Sequence, residues 1–491
     1  MKNTSTYGRT ARLLSPLALA LVLAGCSLAP KYERPQAPID TAYPTRSDAT
    51  ETADATQTAV ADIGWRHFFA DPLLHQLIEI SLENNRDFRT AALNVEAAQA
   101  LYRIQRAQIL PELSATGSGA SERLPAELSP SGISQVNRRY DVGGVSTSWE
   151  LDLWGRIRNL NEQALANYLA LDENRVAAQM SLIAELANTY LTLRADQELL
   201  RLSSDTLATQ QRSYDLSRQL KELGHATQLD LRRAEVALRQ AESSYAAYSR
   251  QSALDRNALV LLLGQPLSAD LSSQLDKADT LPDKIVIADL PSGLPSELLV
   301  RRPDVRAAEQ TLRGANANIG AARAAFLPTI SLTGSIGTAS TSLEGLFDSG
   351  TRAWSFLPSI TLPIFRGGAL LANLDVAQVR KRIEIAQYEK AIQVAFREVA
   401  DGLVSKDLLD RQIQSEQLAV IASNEAQTLA EQRFQEGVDD YLSVLDAHRS
   451  LYASQQTLVR TRLARLGNLI DLYKALGGGW AEHTVPLDKV T

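Results

Sequence analysis

The stretch Arg-Ala-Gln-Ile-Leu-Pro-Glu-Leu-Ser-Ala-Thr-Gly-Ser at positions 106–118 returns as Arg-Ala-Ala-Phe-Leu-Pro-Thr-Ile-Ser-Leu-Thr-Gly-Ser at positions 323–335. Eight of the thirteen positions coincide, against about one expected from ordinary composition. The offset, 328 minus 111, is 217, and it extends upstream: Asp87, Arg89, Ala91, Ala98 and Ala100 face Asp304, Arg306, Ala308, Ala315 and Ala317. Farther on, Gly224, Leu229 and Ala234 align with Gly437, Leu442 and Ala447 at an offset of 213. A period this long is no solenoid repeat. The chain therefore reads as one domain in two copies, residues 72–264 and 296–476.

Each copy carries the same order of elements. A helix over 72–109 or 303–326 stops before Pro111 or Pro328, because the residue before proline disfavours the α region. Pro303 suits a first helical turn. Alternation follows, with Leu113, Ala115 and Gly117 set against Ser114, Thr116 and Ser118, and Ile330, Leu332, Gly334 and Ile336 against Ser331, Thr333 and Ser335. Period two predicts strands with one apolar face. Val145-Thr147-Trp149-Leu151 and Phe356-Pro358-Ile360-Leu362 supply the partner strands across loops rich in Pro, Gly and Ser. The expectation is two hairpins, four strands in all. Long helices then span about 155–223 and 367–436, each ended by a glycine and followed by a second helix at 228–263 or 441–476. The long ones reach roughly 100 Å at about 1.5 Å per residue. Leu169, Val176, Ile183 and Tyr190 recur every seven residues, and Leu186, Leu193, Leu200, Leu207 and Tyr214 run beside them. That is a coiled-coil seam.

The N-terminus places the protein in an envelope. Lys2, Arg9 and Arg12 precede an apolar run from Leu13 to Ala24 that is too short to span a membrane. Residues 1–25 read as a signal peptide. Cys26 is the only cysteine in the chain. Leu23-Ala24-Gly25-Cys26 is similar to a bacterial lipoprotein box, which implies cleavage after Gly25, an N-acyl chain and S-diacylglycerol on Cys26, and no other cofactor. Two or more acyl chains give a stable anchor. By the same resemblance, Ser27 in place of an aspartate implies the outer membrane. No later stretch has the apolar length of a membrane helix, so any crossing is by strands. A net charge of -7 disfavours a nucleic-acid partner. The five histidines lie at 67, 75, 225, 448 and 483, none at metal-ligand spacing from another. Catalytic motifs are absent from the sequence, and no enzyme is expected.

Strand edges cannot stand open in lipid, and barrels need about eight strands. One chain offers four, so two chains would close eight strands and three would close twelve. A coiled-coil envelope lipoprotein without a channel is the competing reading, and it leaves the alternating strands unexplained.

The box at Cys26 is followed by Ala29-Pro30-Lys31-Tyr32-Glu33-Arg34-Pro35, then by Trp149-Glu150-Leu151-Asp152-Leu153-Trp154-Gly155-Arg156, Leu299-Val300-Arg301-Arg302-Pro303-Asp304-Val305 and Leu362-Pro363-Ile364-Phe365. In that order they resemble the TolC-like outer-membrane factors, most closely the OprM/NodT branch of outer-membrane efflux lipoproteins. The resemblance covers nearly the whole chain. It implies a mainly α protein with membrane β-structure: a homotrimer whose twelve-stranded barrel in the outer membrane continues into a periplasmic α-helical barrel. It also implies a periplasmic adaptor, an inner-membrane efflux transporter and export of drugs or other toxic compounds, with type I protein secretion as the alternative. Residues 26–71 would be the lipidated N-terminal segment, 265–295 an equatorial connector and 477–491 a tail. The segments 30–70 and 264–300 read as irregular.

The resemblance also marks a gate. Leu442 and Asp446 lie four apart on one helical face, and the matching residues of the OprM branch line a closed periplasmic constriction. Leucines can dewet a narrow aperture while a carboxylate ring binds cations. At the offset of 213, Leu229 faces Leu442 but Arg233 faces Asp446. The expectation is that Arg233 or Arg449 holds Asp446 when the gate is closed. Gly224 and Gly437 mark tips where the resemblance has the adaptor dock; as plain left-handed helix caps they need no further role. Asp439 and Asp440 read as a solvated acidic turn.

Overall fold

The computed structural model describes residues 27–484 except 41, 44–58, 131, 279, 283–284, 288–289 and 291–294. The signal peptide and Cys26 lie outside the described residues. Helix α1, Pro72–Asn84, starts where the Asp71 side chain accepts the Leu73 N–H at 2.8 Å. The expected single helix over 72–109 is two. Asn85 is extended, at φ -61° and ψ 131°, and α2 covers Arg86–Ala107. The asparagine makes the break: its Oδ1 accepts the Phe88 N–H at 2.9 Å and its Nδ2 donates to the Leu262 carbonyl at 3.0 Å. A side chain that caps the next helix competes with the backbone bond it replaces.

Strands β1 (Leu113–Leu124), β2 (Gln135–Leu151), β3 (Thr329–Ser340) and β4 (Arg352–Thr361) form one antiparallel sheet in the order β1-β2-β3-β4. The two hairpins are thus joined through β2 and β3. Ile330 stands opposite Ile360, Leu332 opposite Pro358, Gly334 opposite Phe356 and Ile336 opposite Trp354. On the other face Ser331 and Ser359 share a hydrogen bond of 2.7 Å, as do Ser335 and Ser355. Both faces are solvated in the single chain, and Trp354 is 74% exposed. One expectation is corrected here. Val145 and Trp149 do not share a face, since Ser146 pairs with Gly334 and Trp149 with Leu332, leaving two residues of β2 opposite one of β3. The bulge, with Ser148 at φ 35°, reverses the alternation. Trp149 thereby joins Leu332 on the apolar face, and Val145 joins Ser335 on the polar one.

Helix α3 spans Arg156–Glu222 and α6 spans Ala369–Gln435, each of 67 residues. Their partners are α4, Gln228–Leu263, and α7, Tyr441–Ala475. Before β3 comes α5, Pro303–Ala324. The seam is driest at Ile183, Leu186, Tyr190 and Leu193, all buried; each contributes about 2 kcal/mol of apolar burial. Short helices also form at Ala269–Lys277 and Pro295–Arg301, inside the stretch read as irregular. In the first, Ser268 caps and Leu271 and Leu275, one turn apart, are buried.

The compact units cut across the sequence repeats. One gathers the residues up to Gln36, Val95–Leu171 and Ala308–Tyr388; the other gathers Ala37–Asn94, Asp172–Ala307 and Glu389–Thr491. Each repeat gives matching pieces to both units. Within the sheet unit, residues 149–156 make the joint between β2 and α3. Asp152 accepts the backbone N–H groups of Ile157 and Arg158 at 3.0 and 2.8 Å, Arg156 grips Glu150, and Trp154 Nε1 donates to the Pro328 carbonyl at 2.8 Å. The N-terminal segment lies along α5, where Glu309 receives Tyr32, Arg34 and Arg313. Gly320 is needed there, because a Cβ would stand 2.7 Å from the Ala29 nitrogen. Within the helical unit, buried Arg302 donates to Asp304, to Glu398 at 2.8 Å and to the Ala475 carbonyl at 3.0 Å.

Candidate channel gate at the helix turns

Both long helices end in the same backbone motif. Gly224, at φ +80°, donates to the Lys221 carbonyl and His225 to the Leu220 carbonyl; Gly437, at φ +75°, donates to Phe434 and Val438 to Arg433. Left-handed glycine caps of this kind satisfy the last helical carbonyls. Neither glycine has a neighbour within 4 Å of where a Cβ would stand. The next helices are then started by side chains. Thr227 accepts the Asp230 N–H while Asp230 accepts the Thr227 N–H at 2.9 Å, a complete capping box. Asp440 accepts the Ser443 N–H at 3.2 Å.

Beyond these caps, α4 and α7 bound a groove of about 780 Å³ within the helical unit. Leu229, Arg233 and Val236 line it from α4, and Leu442, Asp446 and Arg449 from α7. The leucines and charges singled out in the sequence therefore meet in one place. Leu229 and Leu442 remain exposed, at 57% and 45%. Within the single chain, among the described residues, no ion pair joins Asp446 to Arg233 or Arg449. Arg233 lies 3.9 Å from Asp230 instead, its near neighbour one turn back.

Several pairs here were not singled out from sequence. Arg433 holds Asp439 through two bonds of 2.6 and 2.9 Å, and that hydrogen-bonded guanidinium keeps the carboxyl below the usual carboxylate range. A separation of six positions across a turn hides the pair from helical spacing. The capping box at Thr227 was legible as a threonine three residues before an aspartate. His448 donates from Nε2 to Glu431 at 2.9 Å. Burial lowers its proton affinity against the opposing pull of Glu431, which favours the neutral ring. Among the described residues no helix is long and apolar enough to cross a membrane. The sheet is the element shaped for that.

Comparison with known proteins agrees with this architecture. The model of the family described as outer membrane efflux protein matches residues 77–265 and again 294–478. The toluene efflux pump outer membrane protein TtgC of Pseudomonas putida is 46% identical over 97% of this chain and 97% of its own length. Outer membrane protein OprJ of Pseudomonas aeruginosa is 43% identical over 96% of each. The crystal structure of the open state of the Neisseria gonorrhoeae MtrE outer membrane channel superposes with a TM-score of 0.83 at 41% identity, covering 94% of this chain and 100% of that one. A duplicated helix-and-strand chain whose four-stranded sheet carries one apolar face, matched twice by one family model, belongs to the outer membrane efflux protein family and acts in the outer membrane as an efflux channel.

Proposed function

We propose that three copies of this chain close one duct, which takes small toxic compounds from an inner-membrane transporter by way of a periplasmic adaptor. The observation that carries the reading is the four-stranded sheet, with β1 and β4 at its edges and Trp354, Phe356 and Ile360 along one face. Open edges are excluded from hydrocarbon, and four strands fall below the roughly eight of the smallest barrels. The resemblance to TolC-like proteins favours three copies over two. The toluene pump named among the relatives supports apolar cargo. The duct needs no chemistry on that cargo. Leu442 and Asp446 ring its periplasmic aperture, with Arg233 and Arg449 across protomers as counter-charges, and the adaptor meets the turns at Gly224 and Gly437. Cys26 carries the acyl chains; Ser27 beside it is already tied to Asn159 at 2.9 Å.

The internal seam supplies a template for the seam between copies. Trp149 pairs with Leu332 and Leu151 with Ile330. Carried across the duplication, Ile360 pairs with Ala115 of the partner subunit and Leu362 with Leu113 of the partner subunit. Phe365, 88% exposed in the single chain, then takes the place that Trp154 holds in the internal joint. A chain carrying both Ala115→Cys and Ile360→Cys is expected to form covalent dimers and trimers on mild oxidation, seen on a non-reducing gel. Crosslinking of Ala115→Cys with Pro358→Cys in its stead would move the register by two residues. Failure of every β1–β4 pair to crosslink would end the closure model.

A further inference from the structure

Asp196 on α3 and Asp255 on α4 bring two carboxyls together inside the helical unit. Asp255 is 7% exposed. Its Oδ1 accepts the Gln251 amide at 2.9 Å, while Oδ2 is buried and has no hydrogen-bond donor within normal distance among the described residues. The Asp196 side chain lies within hydrogen-bonding reach of the Asp255 side chain. The cations nearby are few. From α7, Arg460 attracts the Asp196 carboxylate, and its guanidinium also donates to the Tyr248 hydroxyl at 3.0 Å. Lys474 and Asp471, also from α7, and Glu185 from α3 line a groove of about 410 Å³ together with Asp255. Glu198 is taken up by the Leu281 N–H at 2.8 Å and by Arg462 at 3.3 Å. Two carboxylates brought together beside one guanidinium that is not paired to either cannot both be ionised cheaply. A proton on one of them removes a charge and supplies the donor that the orphaned oxygen lacks.

We propose that Asp196 and Asp255 hold a single proton between them, and that this shared proton latches α3 to α4. When it leaves for bulk water, two carboxylates remain and repel each other across the helix pair. Burial first, and the Asp255 carboxyl second, raise Asp196 from an ordinary 3.8 to about 7. An acid raised on folding contributes stability that is complete below its unfolded value and is lost as pH climbs through the folded one. The latch is therefore closed in mild acid and opens above neutrality. Helices α3 and α4 are joined by the turn just before Leu229 and Arg233, so the link to conduction rests on the gate reading; the shared proton does not.

The test is infrared difference spectroscopy of the full chain in detergent between about pH 6 and about pH 8.5, where exposed carboxyls are ionised throughout. A carboxylic-acid carbonyl band is expected at the lower pH, lost at the higher, and missing in both Asp196→Asn and Asp255→Asn. No titrating band in the wild type, or the same band in both variants, would overturn the proposal. A second measurement avoids variants: amide exchange at residues 190–200 and 250–260, taken relative to reference amides on α6, should quicken several-fold above neutrality. A constant ratio would overturn the latch. If the band titrates while single-channel conductance does not change with pH, the coupling to the gate fails and the proton pair stands.

Discussion

In the turn between α3 and α4, Gly224 sits at φ +80°; in the turn between α6 and α7, Gly437 sits at +75°. The carbonyls they cap are equivalent, and a side-chain oxygen starts the following helix in both. The chemistry carried on this shared backbone differs. Where the first repeat has Leu220, Ala226 and Arg233, the second has Arg433, Asp439 and Asp446. Backbone geometry is what the duplication has kept, since a glycine in the left-handed region and a capping oxygen are needed to turn the chain at all. Charge was free to diverge. If six turns surround one aperture, the divergence makes alternate turns unlike, which an undivided repeat could not do.

Making the turns alike should have the largest effect. Asp446→Arg gives both repeats the same charge at the groove, so the cation preference of the channel is expected to reverse, read as a change in sign of the reversal potential across a salt gradient in a planar bilayer. A channel that keeps its cation preference would remove Asp446 from the conduction path. Folding should be little affected, because the residue lines an open groove rather than the core.

The shared backbone gives a middle-sized effect and the same one in both turns. Gly224→Ala and Gly437→Ala each force a Cβ into the left-handed region at about 1–2 kcal/mol, with no clash to add, since both positions face open space. Removing the caps by Thr227→Ala or Asp440→Ala should cost about 1 kcal/mol each. Thermal unfolding that separates the two repeats by much more than this would show that one turn carries the fold and the other does not.

The elements shared by the repeats were the legible part of the molecule. Periodicity and glycine placement located α3, α4, α6 and α7 to within two residues, because a long amphipathic seam leaves few alternatives. The break at Asn85 was not read, since an asparagine in a helical pattern is tolerated until its side chain finds Phe88 and Leu262 as partners. Nor was the bulge at Ser148: one extra residue shifts the face of everything before it, and no local residue preference announces it. At the gate, position along the chain put Leu229, Arg233, Leu442 and Asp446 on corresponding faces. Which arginine pairs with which carboxylate depends on reach across a turn, and there Arg433 with Asp439 had no spacing rule to betray it.

That pair gives the smallest effect and the sharpest discrimination. Arg433 is exposed and Asp439 partly exposed at the surface, so their two short bonds are screened by salt and offset by side-chain entropy. Arg433→Ala should leave the melting temperature unchanged within error. The Asp439 carboxyl should nonetheless return upward toward the ordinary carboxylate range, since the guanidinium that lowered it is gone. The sign follows: a carboxyl depressed in the folded state stabilises above its unfolded value and loses that contribution as pH falls through the folded one. In the wild type at low salt the tip should therefore loosen below about pH 4, visible as faster amide exchange at Val438 and Asp439. The same amides in Arg433→Ala, or in the wild type at high salt, should show no such step. The turn at 224–227 has alanine where Asp439 stands; its own acid response, through the Asp230 carboxyl that the Thr227 hydrogen bonds hold low, should be the same in Arg433→Ala as in the wild type. A step at Val438 and Asp439 that survives Arg433→Ala would mean that the acid sensitivity of the second turn belongs to its cap and not to the charge that sets it apart.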